Sequence, residues 1–181
     1  MYSVTPPATE GGAWTADVIH TFADAPDDGT SPYAGLTSAE GMLYGTTYDG
    51  GAWGKGTVYS LTPPTTAGGP WTEAVLYSFA GAAMGDGSYP EGGVVAGSGG
   101  RLYGTTFYGG TGTACANGCG TVYVLTPPAS PGGAWVESVI YNFAGGVGDG
   151  ANPSGITMAG NGVLYGNTSA GGSSGLSLIH I

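Results

Sequence analysis

Residues 43–64 read LYGTTYDGGAWGKGTVYSLTPP, and residues 102–128 repeat the pattern as LYGTTFYGG…CGTVYVLTPP. The first half returns as LYGNTSAGG from Leu164, and the second half opens the chain as MYSVTPP. The stretch reads as a hairpin. Leu43, Tyr44, Thr46 and Thr47 are strand formers, as are Thr57, Val58, Tyr59 and Leu61. Gly50, Gly51, Gly54 and Gly56 supply the positive-φ positions of the reversal. Pro63 and Pro64 end the second strand, because proline cannot donate to a ladder. No GxxxxGK[ST] phosphate loop is present, so these glycines read as sheet-building parts.

Outward from the hairpin, three landmarks recur in register. Trp14, Trp71 and Trp135 are 57 and 64 residues apart, and Phe22, Phe79 and Phe143 keep the same spacing. Tyr44, Tyr103 and Tyr165 are 59 and 62 apart. The copies run over 1–57, 58–121 and 122–175. Each unit offers four strand candidates. The first is short and apolar (Gly35–Leu36, Gly93–Ala96, Gly155–Met158); the second is MLYGTT and its relatives, the third VYSLTPP, the fourth WTEAVLYSF. Short connections imply an antiparallel meander. In the fourth strand, Trp71, Val75, Tyr77 and Phe79 are expected on one face, with Ala74 and Leu76 on the other. Two apolar faces call for cover on both sides. The expected fold is all-β: a β-propeller-like array of four-stranded meanders, with two whole and two partial blades.

Two features at the ends suggest an incomplete gene read. Met1 stands where the other copies have Val58 and Val122, as a GTG valine codon read as a start would give. Residues 176–181, LSLIHI, match a frame of a common transposon sequencing adapter and are expected to be a non-native tail. His180 is therefore kept out of functional reasoning.

Composition excludes several function classes. Lys55 and Arg101 are the two basic residues against twelve acids, a net charge of −10, which argues against nucleic acid and anionic membrane surfaces. No apolar run is long enough to span a membrane.

Few residues carry candidate chemistry. His20 replaces a repeat tyrosine (Tyr77, Tyr141) and reads as structural, with no nucleophile to pair with. Asp28-Gly29, Asp86-Gly87 and Asp149-Gly150 recur as turn signals whose carboxylates accept local backbone hydrogen bonds. Calcium ligation is their alternative; no cofactor or other metal is expected. Glu73 and Glu137 take equivalent positions, which favours a surface role, while Glu40, Asp49 and Glu91 are single occurrences in loops. Cys115 and Cys119 sit together in a five-residue insertion, the pattern of a small disulfide-closed loop and hence of an oxidising compartment. Tyr48, Trp53, Phe107 and Tyr108 stand at the hairpin turns. They suit stacking on sugars or anchoring a protein partner, or else packing on adjacent blades.

The ordered set LYGTT…GG…GTVY-L-TPP…GGAW-E-VIY-FAGG…DGANP…LYG resembles the bacterial GloVer tandem-repeat family, from Tyr2 to about Gly172. Asn167 in place of threonine departs from it, as does the missing signal and anchor segment. The resemblance implies secreted or surface-anchored, propeller-like proteins and brings no catalytic residues. The expected function is an extracellular or cell-surface module for binding or display, with a glycan or protein ligand. The alternatives are a secreted carbohydrate-active enzyme whose acids converge at the propeller axis, and a structural spacer.

Overall fold

Strands stop where proline and glycine punctuate the sequence. The structure, a computed structural model, describes residues 1–23 and 28–173 and the backbone of 177–180. The rest of the 176–181 tail, with the His180 side chain, lies outside the described residues. Strand β1 (Tyr2–Thr5) ends at Pro6 and pairs antiparallel with β2 (Thr15–Val18). The two-residue β3 (Gly29–Thr30) follows. Next come β4 (Thr37–Ala39), β5 (Met42–Thr47), the short β6 (Asp49–Gly50), β7 (Thr57–Thr62) and β8 (Thr72–Ser78). The same series returns as β9 (Gly87–Ser88), β10 (Val95–Ala96), β11 (Leu102–Thr106), β12 (Tyr108–Gly109), β13 (Thr121–Thr126) and β14 (Val136–Asn142). Last are β15 (Gly150–Met158), β16 (Leu164–Gly171) and β17 (Ser177–His180).

These strands form antiparallel sheets, with no α-helix among the described residues. Two sheets have four strands, in the orders β4-β5-β7-β8 and β10-β11-β13-β14; β15-β16-β17 makes a third, and β1-β2 a two-stranded leader. Each four-stranded sheet straddles a sequence boundary: β4 and β5 belong to copy 1–57, whereas nearly all of β7 and β8 belongs to copy 58–121. The first strand of the first four-stranded sheet is Thr37–Ala39, just past the expected Gly35–Leu36.

The register explains the glycine inside each LYGTT. Gly45 faces Tyr59 and Gly104 faces Tyr123 across the hairpin. Each tyrosine lays its ring over the glycine opposite, and a Cβ on either glycine would meet the phenol oxygen. The following threonines lock the other end: Thr47 and Thr57 Oγ1 lie 2.8 Å apart, as do Thr106 and Thr121. At the reversal, Gly50, Gly51, Gly54 and Gly56 all take positive φ.

The sheets stack face to face. Tyr44, Val58 and Phe79 of the first four-stranded sheet pack on Leu102, Tyr123 and Leu125 of the second. Val122 and Phe143 of the second pack with Ala151 and Leu164 of the third. A phenylalanine edge meets each repeat tyrosine: Phe22–Tyr59 at 5.2 Å and Phe79–Tyr123 at 5.0 Å. Each large side chain so buried contributes roughly 1.5–3 kcal/mol. Stacking decides that burial. Tyr59, Leu61, Tyr123 and Leu125 are 0 % exposed, whereas Tyr2 and Val4, at the same repeat positions in the leading sheet, are 72 % and 49 % exposed.

One expectation about the fourth strand fails. The β7–β8 ladder shifts register between Val58 and Tyr59, and β13–β14 shifts between Val122 and Tyr123. Val75 pairs with Tyr59, but Tyr77 pairs with Val58, so Val75 and Tyr77 face opposite ways. Leu76 and Tyr77 both turn toward the second sheet. A bulge inserts one residue and resets the alternation, which strict period-two counting misses.

Candidate functional site

The residue before each repeat proline has a left-handed backbone. Ser31, Tyr89 and Asn152 have φ of 59°, 56° and 58°. Hydrogen bonds hold this shape. Tyr89 N–H donates to the Lys55 carbonyl at 2.7 Å, and Asn152 N–H to that of Cys119 at 2.8 Å. The carbonyls of Ser31 and Tyr89 accept the N–H of Tyr48 and Phe107, each at 3.0 Å. Serine and asparagine fit such a turn readily; a tyrosine there is an outlier for so bulky a side chain.

Around Tyr89 the rings assemble into a strip. Tyr33 meets Tyr48 at 5.6 Å, Tyr48 meets Tyr89 at 4.9 Å, Tyr89 meets Tyr108 at 6.0 Å, and Tyr108 meets Phe107 at 4.8 Å. Tyr33 is exposed, and the other four rings are partly so. Three of the four turn aromatics singled out in the sequence, Tyr48, Phe107 and Tyr108, therefore join one surface. Trp53, exposed, is outside the strip's ring contacts. Tyr33 and Tyr89 are additional members. The signal that could have found them is their place beside Pro32 and Pro90, where the repeat brings the chain back to the hairpin turn.

Polar groups flank the rings. Lys55 Nζ donates to Tyr89 Oη at 2.8 Å and lies 4.9 Å from the ring centroid. Ser31 Oγ donates to Asp49 Oδ2 at 3.2 Å. Burial raises the Glu91 carboxyl above its ordinary range. Burial also raises the Tyr48 phenol, helped by Tyr108, Glu91, Asp49 and Tyr89 nearby. Beside the strip a cavity of about 290 Å³ is lined by Lys55, Gly81, Ser88, Tyr89, Ala116 and Asn117, among others.

The family model described as Gloeobacter/Verrucomicrobia repeat matches residues 1–180. The chain belongs to this repeat family. No curated protein and no solved structure matches it significantly. Within this Gloeobacter/Verrucomicrobia repeat protein the Asp-Gly residues do the same work three times. One carboxylate oxygen accepts the next N–H (Gly29, Gly87, Gly150, at 2.7, 2.6 and 2.8 Å). The other accepts the N–H of Ala23, Ala80 or Ala144, at 2.6, 2.8 and 2.7 Å, just past the repeat phenylalanine. Each aspartate thus ties the end of one sheet to the start of the next. Among the described residues no group of three or more His, Cys, Asp or Glu side chains could hold a metal ion.

In this repeat protein Glu73 and Glu137 are half-buried, less open than a plain repeat-surface role implies. They share the face of Tyr59 and Tyr123, which packs on the preceding sheet, and one carboxylate oxygen of each is enclosed without a hydrogen-bond partner. Burial, then the charge of Asp28 or Asp86, pushes both carboxyls up to about 7. His20 edges against Phe22 at 4.7 Å, and burial lowers its pKa. Cys115 and Cys119 form a disulfide with Cα atoms 5.2 Å apart, and Cys119 Sγ lies 3.3 Å from the Ala144 carbonyl oxygen.

Proposed function

We propose that the chain is an arc of a β-propeller-like repeat array that acts outside the cell as a non-enzymatic binding module, with the aromatic strip as its glycan contact. Its blades are the two four-stranded sheets and the three-stranded β15-β16-β17 sheet, with β4, β10 and β15 as their inner strands. Neighbouring inner strands approach at backbone distance: a Cβ on Gly93 would lie 2.8 Å from the Gly35 carbonyl oxygen, and one on Gly92 2.6 Å from the Gly155 Cα. Such a close row of glycines beside the first strand of each sheet suits a propeller axis. The disulfide favours an oxidising compartment.

The strip running from Tyr33 to Phe107 carries the binding reading. A sugar presents C–H faces that stack on rings and hydroxyls that need partners at the ring edges. Asp49, Glu91 and Lys55 supply both signs of charge alongside. A protein partner would ask for a broader apolar centre. Hydrolysis by a carboxylate pair calls for acids gathered at one site. Glu73 and Glu137 sit on β8 and β14, the outermost strands, so they favour binding over hydrolysis.

The test is binding of neutral oligosaccharides to the full chain by calorimetry and array. Tyr48→Ala and Phe107→Ala should each weaken binding about tenfold to a hundredfold, the usual cost of truncating an aromatic anchor. Trp53→Ala reports whether longer chains reach past the strip. A folded protein that binds no oligosaccharide overturns the reading.

A further inference from the structure

We infer that the cavity beside Tyr89 is a subsite for one anionic sugar residue, a hexuronate or a sulfated hexose, at the end of the strip; this rests on the glycan reading above. The repeat frame separates residues the fold demands from those it does not. Lys55 stands where the next copy has Cys119, because GKGT and GCGT align at the end of the turn. Tyr89 stands where the other copies have Ser31 and Asn152. Asn117 stands where the first hairpin has Trp53, in a turn five residues longer than that of the first hairpin. The backbone bond from the pre-proline residue to the Lys55 or Cys119 carbonyl is kept at both places, so the fold asks for neither a lysine nor a tyrosine. Three departures from the repeat line one cavity of about 290 Å³, room for a single substituted sugar ring.

Charge sets the ligand class. Lys55 is one of two basic residues in a chain of net charge −10, yet among the described residues its ammonium bonds to a neutral partner, the Tyr89 hydroxyl. Its methylene stem lies about 4 Å from the position of a Cβ on Gly81, and both residues line the cavity. An ammonium held by a phenol and a ring keeps donors for a carboxylate or sulfate. Tyr89 offers its ring, and the Asn117 amide offers a donor and an acceptor at the rim. The surrounding negative field disfavours a polyanion, so the fitting ligand is a largely neutral chain with isolated acidic residues. The disulfide across Cys115 and Cys119 closes the loop that carries Asn117, which fixes that wall.

The experiment compares three probes on the full chain: a neutral hexose tetrasaccharide, the same tetrasaccharide ending in one hexuronate, and one carrying a single sulfate ester. The acidic probes should bind about tenfold to a hundredfold more tightly than the neutral one. Lys55→Gln should bring the ratio of acidic to neutral affinity, read within the variant, close to one; Lys55→Arg should retain the wild-type ratio. Whichever acidic probe gains more distinguishes carboxylate from sulfate. Equal affinity for all three, unchanged in Lys55→Gln, overturns the subsite and leaves the strip reading standing. Absence of binding by any probe to folded protein overturns both. An unchanged circular dichroism spectrum and thermal midpoint in Lys55→Gln keep misfolding from imitating either result.

Discussion

The Tyr77 hydroxyl donates to Asp86 Oδ2 at 2.9 Å, beside the Ala80 N–H that donates to the same oxygen at 2.8 Å. Asp86 is buried and receives a third bond from the Gly87 N–H. Asp86→Ala leaves all three donors without that acceptor and should cost about 2–4 kcal/mol, whereas Tyr77→Phe removes one donor and should cost about 0.5–1.5 kcal/mol. Urea denaturation of both variants checks the order. Equal losses would show that the aspartate is not the centre of the latch.

His20 occupies the Tyr77 position of the leading sheet, and its Nε2 is enclosed without a hydrogen-bond partner among the described residues. Asp28 is close enough to affect its charge. His20→Tyr should recreate the tyrosine–aspartate bond and raise stability by about 0.5–1.5 kcal/mol. A lower midpoint in the variant would mean that the imidazole has a role of its own there.

Gly104 lies under the Tyr123 ring. Gly104→Ala must push that fully buried ring aside, an overpacking cost of about 1–3 kcal/mol. Gly160, open on all sides with no positive φ, is the control, and its alanine variant should change stability by less than about 0.5 kcal/mol. Matching effects at the two sites would sink the ring-over-glycine account.

The folded carboxyls of Glu73 and Glu137 titrate at about 7, above the ordinary 4.5. The folded state therefore holds protons that the unfolded chain has released. The associated stability is complete below about pH 4.5 and is lost as pH rises through about 7. Both groups are partly exposed, so solvent screening trims the effect. The thermal midpoint should be lower at pH 8 than at pH 5.5, and the Glu73→Gln/Glu137→Gln double variant should flatten that slope. A slope unchanged by the double variant assigns it to other groups.

The repeat and its strands were legible because strand residues, glycine turns and Pro-Pro stops recur in one order. The bulge opposite Val58 and Tyr59 was not legible, since one extra residue in a ladder leaves no mark on composition. Period-two counting therefore puts Val75 and Tyr77 on one face, where the bulge sets them on opposite faces. The half-burial of Glu73 and Glu137 was not legible either, because it depends on the sheet that lands on them. The strip was half legible. Tyr48, Phe107 and Tyr108 carry the turn signature, but Tyr89 joins them from a distant stretch by an unusual backbone angle. Lys55 was visible only as a lone charge in a turn.

The near-identity of the β5–β7 and β11–β13 hairpins poses a pairing problem while the chain folds. LYGTT of one copy would accept the TVY strand of the next with every tyrosine still over a glycine. Local pairing closes a loop roughly eightfold shorter, an entropic advantage of about 2 kcal/mol. Chain proximity, rather than any difference in side-chain fit, thus selects the correct partner. Lengthening the first turn with a flexible linker would erode that margin and promote strand exchange between copies.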